Sequence, residues 1–287
     1  MAVMVIRPAV LLVLVATSLL SARQPGEIRL IVKGDDMGAG HGINVATIEA
    51  FKRGIVRTTN VIVPGPWMPE AVKLLREHPD LDVGVHLALT SEWENVKWRP
   101  LTWAPSLVDA DGYFFPMVTP RAGFPPGSSL QEAKPKLDEI ERELRAQIET
   151  AKRHIPYVTY TWPHMLFTRL SPEVGDLVRR LTKEYGLVSP ADLGVQFLGG
   201  VYDSRDTGAV KAEKLAARLE TLGPGLWLTV DHAATDTPEM RAFGHAGYEW
   251  VAADRSAVLE AWTSPKVKEV IERRGIKLTN YRELLGR

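Results

Sequence analysis

The stretch LIVKGDDMGAGHGIN, Leu30 to Asn44, decides how the rest of the chain is read. Leu30, Ile31 and Val32 form a short apolar run with the character of a buried strand. Two adjacent carboxylates, Asp35 and Asp36, follow it, then Gly38, Gly40 and Gly42, and a helical pattern opens near Ile43. Strand, acidic pair, flexible turn and helix, in that order, put both carboxylates at the carboxyl end of a strand. In α/β folds that edge gathers ligands and catalytic groups. Neighbouring like charges are unfavourable unless a cation or a shared proton relieves them. Asp-Asp-X-Gly also makes an ordinary turn, and the stretch alone does not choose between the two readings.

Working outward, the same alternation recurs. Thr58 to Val63 is a β-branched run stopped by Pro64, and Glu70 to Glu77 is a helix with Ala71, Leu74 and Leu75 on one face. Leu81 to Leu87 is a strand that carries His86 to its end. The spacing of Leu130, Leu137, Ile140, Leu144 and Ile148 predicts one amphipathic helix over 129–153. Tyr157 to Trp162 reads as a strand followed by His164, and Ser171-Pro172-Glu173 as a capped helix start. A helix from Val210 to Leu222 leads to the strand Leu226 to Val230, with Asp231 and His232 at its end. Pro265 to Arg274, Ile276 to Leu278 and a helix from Tyr281 close the chain. Strands alternating with helices imply a mainly parallel sheet with helical crossovers, closed or partly closed as a barrel.

Between Ser91 and Ser129 no periodicity survives, yet the segment holds Trp93, Trp98, Trp103, Tyr113, Phe114 and Phe115. So many aromatics argue against disorder. Such a long loop either packs back on the domain through its own rings or covers a site and stacks on the apolar face of a sugar.

Composition narrows the field. The 287 residues carry 35 Lys plus Arg against 35 Asp plus Glu, so charge makes no case for a nucleic-acid partner. There is no cysteine, which leaves histidine and carboxylate as the metal-binding side chains. Arg7 precedes an apolar run, Ala9 to Ala16 with Leu19 and Leu20, that ends at Ser21-Ala22. This describes a secretory signal peptide over residues 1–24 and predicts export, with no stable membrane insertion after cleavage; a retained anchor is the alternative. No boundary divides 25–287, which is read as one domain.

Four strand ends thus carry Asp35 with Asp36, His86, His164 and His232. Two imidazoles and a carboxylate suffice for a catalytic metal, leaving the second carboxylate to take a proton from water. His41, His78, His154 and His245 lack that placement; His41 suits a helix start, and His78 and His154 suit helix ends.

These blocks resemble the YdjC-type (ChbG/HpnK) carbohydrate deacetylases, relatives of the NodB-like polysaccharide deacetylases. Leu30 to Asn44 is similar to that family's strand-Asp-Asp-X-Gly opening, continued by Glu49 to Val56 and Thr58-Thr59. Asp82 to Thr90 is similar to its Gly-X-His-X-X-Leu-Thr block, Thr159 to Met165 to its third histidine block, and Thr263 to Leu278 to its carboxyl end. The resemblance implies an α/β fold, an irregular NodB-like (β/α) barrel. It implies one divalent metal on Asp36, His86 and His164, with zinc favoured over magnesium or manganese. Asp35 would be the general base and His232 the general acid, acting on the acetyl group of an N-acetylated sugar. Two departures stand out: Tyr160 and Trp162 replace the third block's usual histidine and aspartate, and His232-Ala233 replaces a His-Pro. They bear on specificity and rate, and a secreted carbohydrate-binding protein with altered catalysis is the alternative. A phosphoester or other ester hydrolase would keep the metal, but no phosphate-binding Gly-Lys-Ser/Thr follows the glycines.

Overall fold

Parallel strands buried on both faces read as unbroken apolar runs, and the strand that begins at Ile28 is buried almost throughout. The computed structural model describes residues 26–286, so the leader expected over 1–24 lies outside the described residues. Seven strands are present among them: β1 Ile28–Met37, β2 Thr58–Val61, β3 Asp82–Leu87, β4 Tyr160–Pro163, β5 Gln196–Phe197, β6 Gly225–Asp231 and β7 Lys277–Thr279. The helices are α1 His41–Arg53, α2 Met68–Glu77, α3 Leu130–Ala133, α4 Leu137–His154, α5 Pro172–Glu184, α6 Gly208–Glu220, α7 Val251–Thr263, α8 Pro265–Arg273 and α9 Tyr281–Leu284.

Every strand pairing is parallel, in the order β4-β3-β2-β1-β6-β5. β6 runs beside β1 from Ile28 to Gly34. On the other side β7 takes Arg29 to Ile31, and β2 takes over from Lys33. The result is the irregular (β/α) barrel expected, with its edges at β4 and β5. No helix among the described residues is long and apolar enough to cross a membrane.

Alternation along β1 sorts its side chains into two layers. Leu30 and Val32 join the large core between sheet and helices, whereas Ile31 packs inside with Tyr160, Leu228 and Tyr281. Gly84 on β3 is needed there, because a Cβ would stand 2.3 Å from the Tyr160 ring. Asp82 ties the same layer together: its carboxylate accepts from Thr58 Oγ1 (2.9 Å), Thr159 Oγ1 (2.6 Å) and the Tyr281 N–H (3.1 Å).

The structure splits one expected helix and adds two elements that the sequence pattern does not reveal. The helix expected over 129–153 breaks between α3 and α4, where Lys134 has φ 51° and Pro135 follows. The break resets the register, so Leu137 is 44% exposed rather than in the buried stripe. α7 went unread because most of its circumference is apolar, as suits a helix packed between α6 and α1. The two-residue β5 is too short to leave a pattern.

Buried Glu139 and Glu143 on α4 fasten the long loop. Glu143 accepts from the N–H groups of Leu101 (3.0 Å) and Thr102 (2.9 Å), and Glu139 from that of Ser106 (2.8 Å). On its outer face α4 meets α5 through Glu141, which accepts from Arg145 and Arg180, both at 2.8 Å. Arg180 first and Arg145 second hold the Glu141 carboxyl down at about 2. A carboxyl depressed by folding adds stability above its unfolded value of 4.5, and that contribution is lost as pH falls toward 2. Its side chain is 31% exposed, so screening keeps the effect small. In thermal scans between pH 4.5 and 2, the melting temperature of the wild type should fall more steeply than that of Glu141→Gln. Parallel curves would show that the pairing contributes nothing.

Candidate metal centre

Strict alternation would send Asp35 and Asp36 to opposite faces of β1. The backbone prevents this. Pairing with β2 shifts register between Gly34 and Met37, and Asp36 takes a left-handed φ of 72°. A bulge of this kind re-aims a side chain, and aspartate tolerates the left-handed region better than most residues. Asn60 of β2 supports the bend with both ends of its amide. Its Oδ1 accepts from the Asp36 N–H at 3.3 Å, and its Nδ2 donates to Asp35 Oδ1 at 3.0 Å. Asn44 Oδ1 accepts the Gly38 N–H at 2.7 Å and so fixes the following turn. The α1 N-terminus is then capped from afar by Glu239, which accepts from the His41 N–H (2.9 Å) and the Gly42 N–H (3.1 Å).

Both carboxylates consequently reach one imidazole. His86 Nε2 stands 3.3 Å from Asp36 Oδ1 and 3.8 Å from Asp35 Oδ2. His164 follows β4 directly, and the chain then turns through two left-handed residues, Met165 (φ 48°) and Leu166 (φ 54°). Strain of this type concentrates at functional sites. His164 Nδ1 lies 3.2 Å from His86 Nε2 and 3.6 Å from Asp36 Oδ1. Asp36, His86 and His164 are all buried.

Their hydrogen bonds orient the two rings. A carbonyl oxygen only accepts, so the 3.1 Å contact of His86 Nδ1 with the Trp162 carbonyl places the proton on Nδ1 and leaves Nε2 bare. Glu92 Oε2 accepts from His164 Nε2 at 2.9 Å, which turns Nδ1 toward the cluster as the nitrogen a cation would meet. Such outer partners are what a metal-binding histidine needs. Asp36 Oδ2 is taken by Arg255 Nη2 at 2.9 Å, whereas buried Asp36 Oδ1 has no hydrogen-bond donor. Two ring nitrogens and an orphaned carboxylate oxygen therefore converge.

That arrangement fits a divalent cation. Around an ion bound at roughly 2.0–2.1 Å, tetrahedral ligand atoms stand about 3.3–3.4 Å apart; the three separations here are 3.2, 3.3 and 3.6 Å. Without a cation the cluster strains its own titration. Burial alone would lower the His164 imidazole, but Glu92 and then Asp36 and Asp35 outweigh it and lift it to about 9. Burial holds His86 below its ordinary value. For Asp36 burial works upward, yet His232, Arg255 and the two other histidines bring its carboxyl well below the usual range.

His232 closes the far side, its Nε2 3.7 Å from Asp36 Oδ2 and its Nδ1 3.5 Å from Asp231 Oδ1. Burial lowers this imidazole, but Asp36 and hydrogen bonding to Asp231 raise it overall. All five residues singled out in the sequence meet at one end of the barrel. Asp35, His86, His164 and His232 line a cavity of about 460 Å³, together with Glu92, Trp93, Trp162, Met165, His245 and Arg255.

Glu92, Arg255, Asn60 and His245 were not foreseen. Glu92 and Trp93 lie at the start of the aperiodic loop, where a glutamate before an aromatic carries no spacing signal. Arg255 is on the unread α7. His245 stacks on Trp93 at 5.7 Å with the rings 17° apart. The loop packs back on the domain, with Trp98, Phe114 and Phe115 buried in the core, and its first residues, Glu92 and Trp93, reach the cavity. His41 opens α1 and pairs with Glu70 at 2.8 Å, away from the cluster. Tyr160 lies one layer below the site, its hydroxyl donating to the Thr59 carbonyl at 2.6 Å. Trp162 lines the cavity.

Zinc titrated into metal-free protein should bind at one equivalent and raise the melting temperature, by about 2.7 kcal/mol of stability at a hundredfold excess over Kd. His86→Ala and His164→Ala should abolish the shift, and Glu92→Gln should weaken zinc binding by about 10–100-fold. Calorimetry on the four proteins checks this; an unchanged affinity in His164→Ala would remove that residue from the ligand set.

Known proteins resemble this chain in sequence and fold. The profile of the family described as YdjC-like protein matches residues 29–273. A carbohydrate deacetylase of Thermus thermophilus is 31% identical over 263 residues, covering 84% of this chain and 89% of its own. A chitooligosaccharide deacetylase of Serratia marcescens is 27% identical, with 89% and 98% covered. A crystal structure from Enterococcus faecalis, of a protein suggested to cleave cellobiose phosphate, superposes with a TM-score of 0.72 at 26% identity, over 90% of this chain and 99% of that one. With the profile running from β1 through α8, the chain belongs to the YdjC-like family.

Proposed function

We propose that this protein is a metal-dependent hydrolase that removes the acetyl group from an N-acetylated sugar, of the chitooligosaccharide type or a related glycoconjugate. One observation carries the reading: three ligand atoms converge at metal-binding spacing, with a second carboxylate oxygen, Asp35 Oδ2, free beside them. The relatives' activities point the same way. Asp36, His86 and His164 would hold the cation, and the near-tetrahedral spacing favours zinc over magnesium or manganese, which prefer octahedral oxygen sets.

When bound, the cation supplies Lewis acidity to a carbonyl oxygen and a more acidic water. The remaining work belongs to the chain. Asp35 has Oδ1 occupied by Asn60, so Oδ2 is the oxygen that accepts a proton from the attacking water. His232, raised toward its protonated form and lining the same cavity, donates to the departing amine, since an amide nitrogen leaves poorly without a proton. Trp162 gives the sugar ring an apolar face to pack on. The leader-like residues 1–24 support export as the setting of this activity.

Acetate release from N,N′-diacetylchitobiose tests the reading. The zinc-loaded wild type should release acetate, and Asp35→Asn should abolish turnover while keeping zinc. Turnover by Asp35→Asn at the wild-type rate would remove Asp35 as base. Sugar binding with no acetate release by the wild type would point instead to a carbohydrate-binding protein with lost chemistry.

A further inference from the structure

Lys33 is fully buried, and it stands on β1 two residues before Asp35, on the face that looks into the barrel. Burying an ammonium is costly unless it is paired. Its Nζ lies 2.7 Å from Asp35 Oδ1 and 3.6 Å from the centre of the Trp162 ring. Among the described residues, Asp35 supplies the only carboxylate oxygen within 4.0 Å of it. Trp162 presents its ring face to the lysine, which keeps one anionic partner. The same residue's carbonyl accepts from His86 Nδ1 at 3.1 Å. Trp162 therefore braces the lysine with its ring and a proposed metal ligand with its backbone.

We propose that Lys33 is a positioning residue for the general base, held in place by Trp162. Asp35 Oδ1 accepts from Asn60 Nδ2 at 3.0 Å and is ion-paired with the Lys33 ammonium, whose Nζ lies 2.7 Å away outside hydrogen-bond geometry. One hydrogen bond and one ion pair on the same oxygen hold the carboxylate's rotation and leave Oδ2 facing the cluster, 3.8 Å from His86 Nε2. Without the ammonium the group would swing and compete with Asp36 as a ligand. Lys33 does not line the cavity and touches no reacting atom, so its action passes through Asp35. Burial lowers its amine to about 8 against the pull of Asp35, consistent with an ammonium kept by its partner. The inference rests on the deacetylase reading for its kinetic arm and on geometry alone for its stability arm.

Two measurements test it. In zinc-loaded Lys33→Met, kcat on diacetylchitobiose should fall about 10–100-fold, the size expected of a misplaced catalytic group, with KM and zinc stoichiometry unchanged. In urea unfolding of the metal-free proteins, Lys33→Met should lower the midpoint, and Lys33→Met with Asp35→Asn should recover part of the loss, because the pair is coupled. Wild-type kcat in Lys33→Met, or additive shifts in urea, would overturn the proposal. Should Lys33→Met fail to fold, the double variant must fold and hold zinc, and a double no better folded than the single overturns it as well. A wild type that releases no acetate would defeat the deacetylase reading, while the urea cycle would still decide whether Lys33 and Asp35 act as a pair.

Discussion

One left-handed residue governs this site. A regular strand offers a single side chain to each face at a given level, so it can supply either a ligand or a base, but not both from neighbouring positions. The bulge at Asp36 breaks that rule locally. Asp35 keeps the inward face of β1, and Asp36 is turned back beside it, so that both carboxylates approach His86 Nε2. A conformation of this kind costs about 1–3 kcal/mol and persists only where its surroundings over-determine it. Asn60, Asn44 and Arg255 do so, from β2, α1 and α7. The barrel matters to the chemistry mainly because it brings those three elements around one bend.

Charge follows the same layout. Two carboxylates this close would repel in a buried site, and each is given its own counterpart. Arg255 takes Asp36 Oδ2, and Lys33 takes Asp35 Oδ1. What remains is one oxygen on each, directed toward the histidines. On Asp36 that oxygen lacks any donor, the arrangement a metal ligand requires; on Asp35 it stands at 3.8 Å from His86 Nε2, the arrangement a proton acceptor requires. The different roles proposed for these two identical side chains follow from which of their oxygens the fold has already satisfied.

How much of this could be read in the sequence depended on whether the signal was local. Strand-end placement of Asp35, His86, His164 and His232 followed from short apolar runs and their stops, and those runs survive as β1, β3, β4 and β6. The parallel barrel followed from alternation of strand and helix. By contrast, Arg255 acts on Asp36 from 219 residues away, on a helix whose apolar circumference gives no stripe to read. Glu92 holds His164 Nε2 from a segment with no period at all. Lys33 was in plain view within the opening stretch, yet a lysine amid a buried strand has meaning only once its partner and the Trp162 ring are in place. Periodicity reports which face is buried; it says nothing of which buried polar groups satisfy one another.

The two departures in the third histidine block illustrate the difference that depth makes. Both are aromatic replacements on the inward face of β4, two residues apart, and from sequence they carry equal weight. Tyr160 sits at the level of Gly84 and Asp82, where its hydroxyl bonds the Thr59 carbonyl and its ring packs 4.3 Å from that of Tyr281. It fills the barrel beneath the site and leaves the ligands untouched. Trp162 sits one step higher, where the strand end meets the cavity, and there it both lines the space open to substrate and covers the lysine that holds Asp35. A single step of two residues along a strand, about 6.6 Å in rise, thus separates a packing change from one that bears on the proposed base and on the cavity together.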